Sequence, residues 1–410
     1  MMSRPSSKYD RPDQMPTFTT VFTSDTTVRH PDAERIEIRA LPISSEETVT
    51  IALSTEYRDL GFSATVPGDM QAAVKGPAES ADDAIVVFGS VASALTPFIA
   101  FVANASVRPF EPWLAYESTP GCRDRPFIQY FRSDPTRVTT PNGRIFTAEH
   151  VQAFFELLQV WHGHREPRHL YRAIVHYQEA LANWSDMDEL RSASHLWMAV
   201  EALTPAILRN EYLMRSMDAQ GLVELWGIKG DRLEPEVRRR LIFHDDSDSY
   251  RTLKDLSDAL EHGTVDFRPL QRMAHRIRTS AADHIRKAII DLFSPSAETV
   301  RTLLAEPPLL VVPLQRRFRG RLLGEPHVLR AEGFDHPFLQ EEPMTIDDFV
   351  LLPDGRYDVT MTQRGNPQMA DGLDLLLEAW ATSMPSKDLR VTINDHEIAV
   401  RPPVERGDVS

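Results

Sequence analysis

The sequence has almost no cysteine, since Cys122 is the single one among 410 residues. One thiol cannot form an intramolecular disulfide framework, and it is typical of a protein in a reducing compartment. The first fourteen residues are polar and charged and lack the apolar core of a signal peptide. We therefore expect a cytoplasmic location.

Basic residues are scarce relative to acidic ones. Lys and Arg total 45 against 60 Asp and Glu, which gives a formal net charge of −15. Proteins that bind nucleic acids or anionic membranes over a broad surface need a basic footprint. Any contact with a polyanion must therefore be local in this chain.

Common cofactor and hydrolase motifs are missing as well. The sequence contains no GxGxxG fingerprint, no P-loop lysine motif and no GxSxG elbow. His244 with Asp245, Asp246 and Asp248 offers ligands for a divalent cation, but this segment lacks the glycine and distal glutamate of a calcium loop. We expect a solvated acidic turn there, and no cofactor or metal centre.

Charge is absent from residues 84–107, a run long enough to cross a membrane. Thr96, Pro97 and Asn104 lower its hydrophobicity, and no basic cluster flanks it. Asp82 and Asp83 stand at its start, where a soluble helix places its cap and its acidic first turn. We therefore predict a helix buried inside the protein and no membrane partner.

The pattern of apolar residues changes along the chain. Alternation predicts strands at residues 18–22, 35–43 and 48–55. The small polar stretch 68–82 predicts a loop. From Thr147 the apolar residues recur every three to four positions, as in amphipathic helices, until Pro295 ends the last one.

Beyond Pro307 the alternation of strands returns. Pro353-Asp-Gly355 and Asn394-Asp395 each separate two alternating segments, which predicts two hairpins. Residues 373–381 predict a short helix. The whole pattern indicates an α+β protein whose parts are a disordered tail (1–16), an α+β unit (17–146), an all-α bundle (147–294) and a C-terminal β-rich domain (307–402).

The central part carries the candidate chemistry. Residues 194–204 predict a helix that is apolar on nearly every face and holds one carboxylate, Glu201. We expect Glu201 to be buried and paired with a neighbouring group, because an unpaired buried charge is costly. A later helix ends on His262 and stops at Gly263, a residue suited to the left-handed cap of a helix.

These segments resemble the HEPN superfamily (higher eukaryotes and prokaryotes nucleotide-binding), most of all its bacterial members linked to abortive infection. The resemblance covers residues 168–293 and rests on Trp197-Met-Ala-Val-Glu-Ala-Leu203, on the His262-Gly263 helix end and on the long helix that follows. It implies a domain of four or five helices, often dimeric, and in many members a metal-independent ribonuclease.

The family motif is an arginine followed by four to six residues and a histidine, often with a polar residue from an earlier helix. His262 takes the histidine position, and Glu201 takes the earlier polar one. The three positions for the arginine hold Asp255, Leu256 and Ser257. The chain therefore departs from the motif at the residue that would bind the scissile phosphate.

Two functions remain open. The first is a non-catalytic interaction or scaffold protein that self-associates through the bundle and binds an unknown protein partner. The second is a metal-independent ribonuclease, a defence or stress effector, with His262 as acid or base, Glu201 in support and an arginine supplied from elsewhere. RNA or an acidic partner would dock on the basic face of the last helix, which carries Arg268, Arg272, Arg276 and Arg286.

Overall fold

A computed structural model describes residues 15–31, 35–42, 47–59, 65–120, 125–130, 143–185 and 188–309, and the strand segments 316–323, 344–351, 357–363, 374–382, 391–393 and 396–398. The chain mixes α-helices and antiparallel β-strands, so the predicted α+β class is confirmed. The predicted tail lies outside the described residues except for Met15 and Pro16.

The strands are β1 (Thr17–Ser24), β2 (Val28–Arg29), β3 (Ile36–Pro42), β4 (Thr48–Asp59), β5 (Thr65–Pro77), β6 (Glu111–Glu117), β7 (Phe127–Gln129), β8 (Arg144–Ile145), β9 (Arg316–Leu323), β10 (Met344–Leu351), β11 (Tyr357–Gln363), β12 (Asp374–Thr382), β13 (Val391–Ile393) and β14 (His396–Ile398). The helices are α1 (Ala81–Ala103), α2 (Ala148–Gly163), α3 (Pro167–Ala182), α4 (Glu189–Arg215), α5 (Ala219–Trp226), α6 (Leu233–Val237), α7 (Ser247–His262), α8 (Phe267–Phe293) and α9 (Ala297–Ala305). A π-helical turn, Arg238–Ile242, follows α6.

Six strands form one antiparallel sheet in the order β3-β4-β5-β1-β6-β7. Along β1 the side chains of Phe18, Thr20 and Phe22 are buried, which identifies the face that packs on the core. Helix α1 covers this face, and Gly89 leaves room there for the Phe22 ring. The strands predicted near β1, β3 and β4 are confirmed.

The predicted loop at residues 68–82 is wrong, because most of it belongs to strand β5. Thr17 of β1 lies opposite Pro77 and Ser24 lies opposite Met70, so the two strands pair along their shared length. Met70, Ala72 and Val74 alternate with less buried neighbours. The alternation is weak in the sequence because many residues of β5 are small. A strand that packs closely under a helix needs such small residues.

Helix α1 begins after the Ser80 cap, whose hydroxyl accepts a hydrogen bond from the Asp83 N–H at 3.1 Å. By length and composition it could cross a membrane, with a mean hydropathy of 2.2, a test that the core helix of a soluble protein also passes. Its second half is buried, as predicted. The Phe98 ring lies 5.4 Å from that of Trp161 in α2, and the Phe101 ring lies 5.6 Å from that of Tyr177 in α3.

Helices α2 to α9 follow one another between residues 148 and 305. Helix α4 packs against α3, α7 and α8, and the side chains of Trp197, Val200 and Leu203 are buried. The α+β segment and these helices belong to one compact unit, which takes in the described residues up to 56, from 69 to 130 and from 146 to 309. Helix α1 joins them, because it contacts the sheet as well as α2 and α3.

A second unit contains residues 57–59, 65–68 and 143–145 and the described strands after residue 311. Both predicted hairpins are confirmed, since β10 pairs with β11 and β13 pairs with β14. The short helix predicted at residues 373–381 is wrong. Those residues lie in strand β12, which pairs antiparallel with β9. Local helix propensity in the leucine-rich run is outweighed by this pairing with a distant strand.

Candidate functional site

His262 is the last residue of α7, and Gly263 follows it in the left-handed conformation with φ of 59°. The predicted helix end is confirmed. The His262 side chain is exposed, and within the described residues no arginine forms a hydrogen bond or ion pair with it. Arg251 pairs weakly with Asp248 at 4.0 Å on the same helix. The arrangement required for catalysis at His262 is therefore not present in the described chain.

Glu201 is exposed on the outer face of α4, so the prediction that it is buried is wrong. Its apolar neighbours turn inward while position 201 turns outward, because a helix separates successive residues by about 100°. His176 and His195, which the sequence offers with Arg172 as possible partners of Glu201, instead face each other with ring centroids 6.2 Å apart. Burial lowers the pKa of both histidines.

Arg286 is 2% exposed, so its assignment to a docking surface is wrong. Its guanidinium donates hydrogen bonds to the carbonyl oxygens of Leu303 at 2.7 and 2.9 Å and of Val102 at 3.4 Å, and also to that of Phe101. These carbonyls lie in the last turns of α9 and α1, where backbone acceptors have no partner within the helix. A cation there also interacts favourably with the negative end of the helix dipole.

Arg268, Arg272 and Arg276 are exposed at the start of α8. Residues 268, 272 and 275 are separated by four and three positions, so Arg268, Arg272 and His275 lie on one face of the helix. No acidic residue occupies the first turn of α8. Basic side chains at a helix N-terminus oppose the dipole and cost stability, but the same positive end attracts a bound anion.

A buried carboxylate lies behind His275. The Nδ1 atom of His275 is 3.5 Å from Oε1 of Glu189, the first residue of α4. The side chain of His275 is 52% exposed, whereas that of Glu189 is 5% exposed. Because Glu189 lies next to Nδ1, the other ring nitrogen, Nε2, is not engaged by this carboxylate.

Two buried oxygens near this pair have no hydrogen-bond partner in the described part of the chain. They are Oε2 of Glu189 and Oγ of Ser192, which lies one turn further along α4. Buried polar atoms without partners are uncommon in folded proteins, and each is a candidate for function. They belong to the helix end that holds the imidazole.

Helix α8 is fixed at this point by Arg278, one turn beyond His275. The buried guanidinium of Arg278 donates a 2.6 Å hydrogen bond to the carbonyl oxygen of Ser185 and stacks over Trp184 at 5.1 Å. Ser185 and Trp184 lie just after α3, ahead of α4. This anchor holds the backbone around His275 against the segment that leads to Glu189.

The sequence contained a signal for this site. Arg268 is followed by six residues and then His275, which is the spacing sought at His262. His262 and His275 thus both occupy candidate histidine positions, on neighbouring helices, and only His275 has an arginine at this spacing. Glu189 could not be recognised because burial at a helix start depends on which elements pack over it.

A second polar cluster lies at the turn before α7. Asp246 accepts the Ser249 N–H at 3.0 Å, and this backbone bond lowers the pKa of the carboxyl to about 2. His284 Nε2 is 3.1 Å from the same carboxylate, and His244 Nε2 is 3.4 Å from Asp291. No group of three or more possible ligands for a metal ion occurs among the described residues. The cluster caps α7 and ties it to α8.

Comparisons with protein-family models, with curated proteins and with solved structures found no match to this chain.

Proposed function

We propose that the protein is a metal-independent ribonuclease of the HEPN type, with its acid–base group at His275. The observation that supports this most directly is a half-exposed imidazole with a buried carboxylate behind it and arginines beside it. In this proposal the helices between residues 148 and 305 form the HEPN-like bundle. A local basic site of this kind is compatible with the net charge of −15.

Each group has a role that follows from its chemistry. Glu189 positions the imidazole, as a buried carboxylate does for a catalytic histidine. Arg268, Arg272 and Arg276 bind the phosphate, since guanidinium groups recognise phosphate oxygens with paired hydrogen bonds. The proposed mechanism assigns no role to His262 or Glu201.

The proposed reaction needs no external cofactor. His275 Nε2 removes the proton from a ribose 2′-hydroxyl, and the 2′-oxygen forms a bond to the adjacent phosphorus. The bond from phosphorus to the 5′-oxygen breaks, and the leaving oxygen takes a proton from water. The hydroxide formed in this way takes the proton held by His275, which restores the neutral imidazole. The products are a 2′,3′-cyclic phosphate and a 5′-hydroxyl, while arginine charge stabilises the transition state.

The test is cleavage of labelled RNA by the full chain in EDTA, comparing the wild type with His275→Ala. His262→Ala is a matched control, because it removes an exposed histidine from the neighbouring helix. We expect activity in the wild type and in His262→Ala, and a loss of about a hundredfold or more in His275→Ala. Equal loss in both variants, or cleavage that EDTA abolishes, would contradict the proposal.

A second candidate is the non-catalytic interaction protein, and one observation favours it. Large apolar side chains are exposed at the end of α4, in the connection that follows it and on α5, where Leu213, Met214, Met217 and Leu225 are 40% to 74% exposed. Exposed apolar patches mark protein-binding surfaces, and flexible methionines suit them. We propose self-association through this surface. Self-association is compatible with a ribonuclease. If the wild type cleaves no RNA, protein binding through this surface becomes the main proposed function.

A further inference from the structure

The antiparallel sheet has a second face that α1 does not cover. Directly opposed residues of paired strands lie on the same face. Since Phe18, Thr20 and Phe22 point to the core, Thr19 and Val21 point to the opposite face. The strand registers extend this face over β5, β1, β6 and β7.

Two rows of side chains cross this open face. Lys75 pairs with Thr19, Thr19 with Tyr116, and Tyr116 with Phe127, so these residues form one row. The next row consists of Ala73, Val21, Leu114 and Gln129. None of these side chains is fully buried, and Lys75, Phe127 and Gln129 are exposed.

Tyr116 and Phe127 are adjacent in the first row. Neighbouring strands are about 4.8 Å apart, so both rings stand on the same face of adjacent strands. Phe127 is 67% exposed, so its ring is accessible to a ligand. Aromatic rings on a sheet are suited to stacking against unpaired bases.

The groups around the rings favour the same ligand. Lys75 lies two strands from Tyr116, about 10 Å away, and it supplies a positive charge for a phosphate. The Gln129 amide offers hydrogen bonds to base edges or sugar hydroxyls, and the Thr19 hydroxyl, which donates to Oγ of Ser118 at 2.9 Å, can accept one. Neither row contains a carboxylate, and Glu111 occurs only in the row opposite Thr23.

We infer that this face binds single-stranded RNA, with two bases stacked on Tyr116 and Phe127 and a phosphate at Lys75. The choice of RNA rests on the proposed function, which this inference deepens by naming an unpaired strand as the substrate. A duplex does not fit, because its bases are already stacked on one another.

The test measures binding separately from cleavage. A fluorescein-labelled single-stranded RNA of twelve nucleotides is titrated with full-length His275→Ala in EDTA, and fluorescence anisotropy gives Kd. In that background Phe127→Ala and Tyr116→Ala should each raise Kd about tenfold, since one stacked base is lost. Tyr116→Phe keeps a ring and should bind normally. Val86→Ala is the matched control, because Val86 is 72% exposed on α1.

A second probe keeps the inference testable if a variant folds poorly. An abasic strand of the same length retains the phosphates and should bind the unsubstituted face about a hundredfold more weakly than the RNA. Equal binding of both strands, or unchanged Kd in Phe127→Ala and Tyr116→Ala, would overturn the inference. So would the absence of RNA binding.

The two proposals fail separately. If Phe127→Ala weakens RNA binding while the wild type cleaves no RNA, the face binds RNA and the proposed ribonuclease is wrong. If His275→Ala abolishes cleavage while the ring variants change neither binding nor cleavage, the ribonuclease stands and the stacking face is wrong.

Discussion

Arg286 and Phe101 are joined twice: the guanidinium donates a hydrogen bond to the Phe101 carbonyl oxygen, and its central carbon lies 4.7 Å from the centre of the Phe101 ring. This contact connects α8 to the last turn of α1. The sequence distance of 185 residues makes it one of the long-range connections that hold the first unit together.

Arg286→Met should therefore destabilise the protein by roughly 3 kcal/mol or more, because it leaves buried carbonyl oxygens without donors. Arg276→Met is the control, since Arg276 is exposed on the same helix and its loss should change stability by about 0.5 kcal/mol or less. Urea unfolding followed by circular dichroism measures both. Equal effects of the two substitutions would show that the buried contacts of Arg286 contribute little.

Glu189→Gln tests the positioning role of the buried carboxylate. The amide keeps the size but loses the charge that holds the imidazole. We expect kcat for RNA cleavage to fall at least tenfold with an unchanged KM. Glu201→Gln, an exposed change on the same helix, should leave kcat unaltered. An unchanged kcat in Glu189→Gln would limit this residue to a structural role.

Burial lowers the pKa of His30 from 6.5 to about 4. The unfolded chain then binds a proton that the folded chain does not between these pH values, so stability is complete above pH 6.5 and falls as pH drops to 4. This group should contribute a loss of roughly 3 kcal/mol over that range. His30→Phe removes it, so the difference in unfolding free energy between wild type and variant should shrink from pH 7 to pH 4. A constant difference would contradict the assignment.

Gly76 in β5 has no space for a side chain, since a Cβ atom there would lie 2.5 Å from Cγ1 of Val49. Gly76→Ala should cost about 1–3 kcal/mol. The second change Val49→Ala should recover part of this loss, because it removes the clashing atom. Gly163→Ala, where nothing lies within 4 Å, should be neutral or slightly stabilising at the end of α2. Thermal unfolding of the wild type and these three variants separates a clash from a general intolerance of alanine.

Self-association through the end of α4 predicts a change in mass. If the exposed apolar surface joins two copies, Met214→Lys should convert a species of twice 46.5 kDa into the single chain. Val86→Lys, equally apolar and exposed on α1, should leave the mass unchanged. Light scattering coupled to gel filtration measures it. A wild type that elutes as a single chain would exclude this interface.

Much of the architecture could be predicted because it depends on local patterns. The helix start after Thr147, the end at His262 and the hairpins around Asp354 and Asn394 all follow from residues within a few positions of each other. Strand β5 and strand β12 could not be predicted this way. Each has a partner that is distant in the sequence, β1 for β5 and β9 for β12, and their composition favours other structures.

The burial of the charged residues in the candidate site could not be predicted from the apolar pattern of the sequence. Glu201 lies among apolar residues yet faces outward, while Glu189 begins a helix yet is buried. Arg286 appears in the same basic series as Arg272, but its position on α8 directs it to the ends of two other helices. Periodicity predicts that a helix has an apolar and a polar face. Only the packing of neighbouring elements decides which individual side chains are buried.

Because α1 is shared between the sheet and the helices, a break in the chain between Phe146 and Thr147 would yield no self-sufficient fragment. A piece that ends at Phe146 would keep the apolar second half of α1 without Trp161, Tyr177 and Arg286 to cover it. Such a fragment should aggregate or be degraded. Any exchange of parts with other proteins, natural or deliberate, would therefore have to transfer the sheet and the helices together.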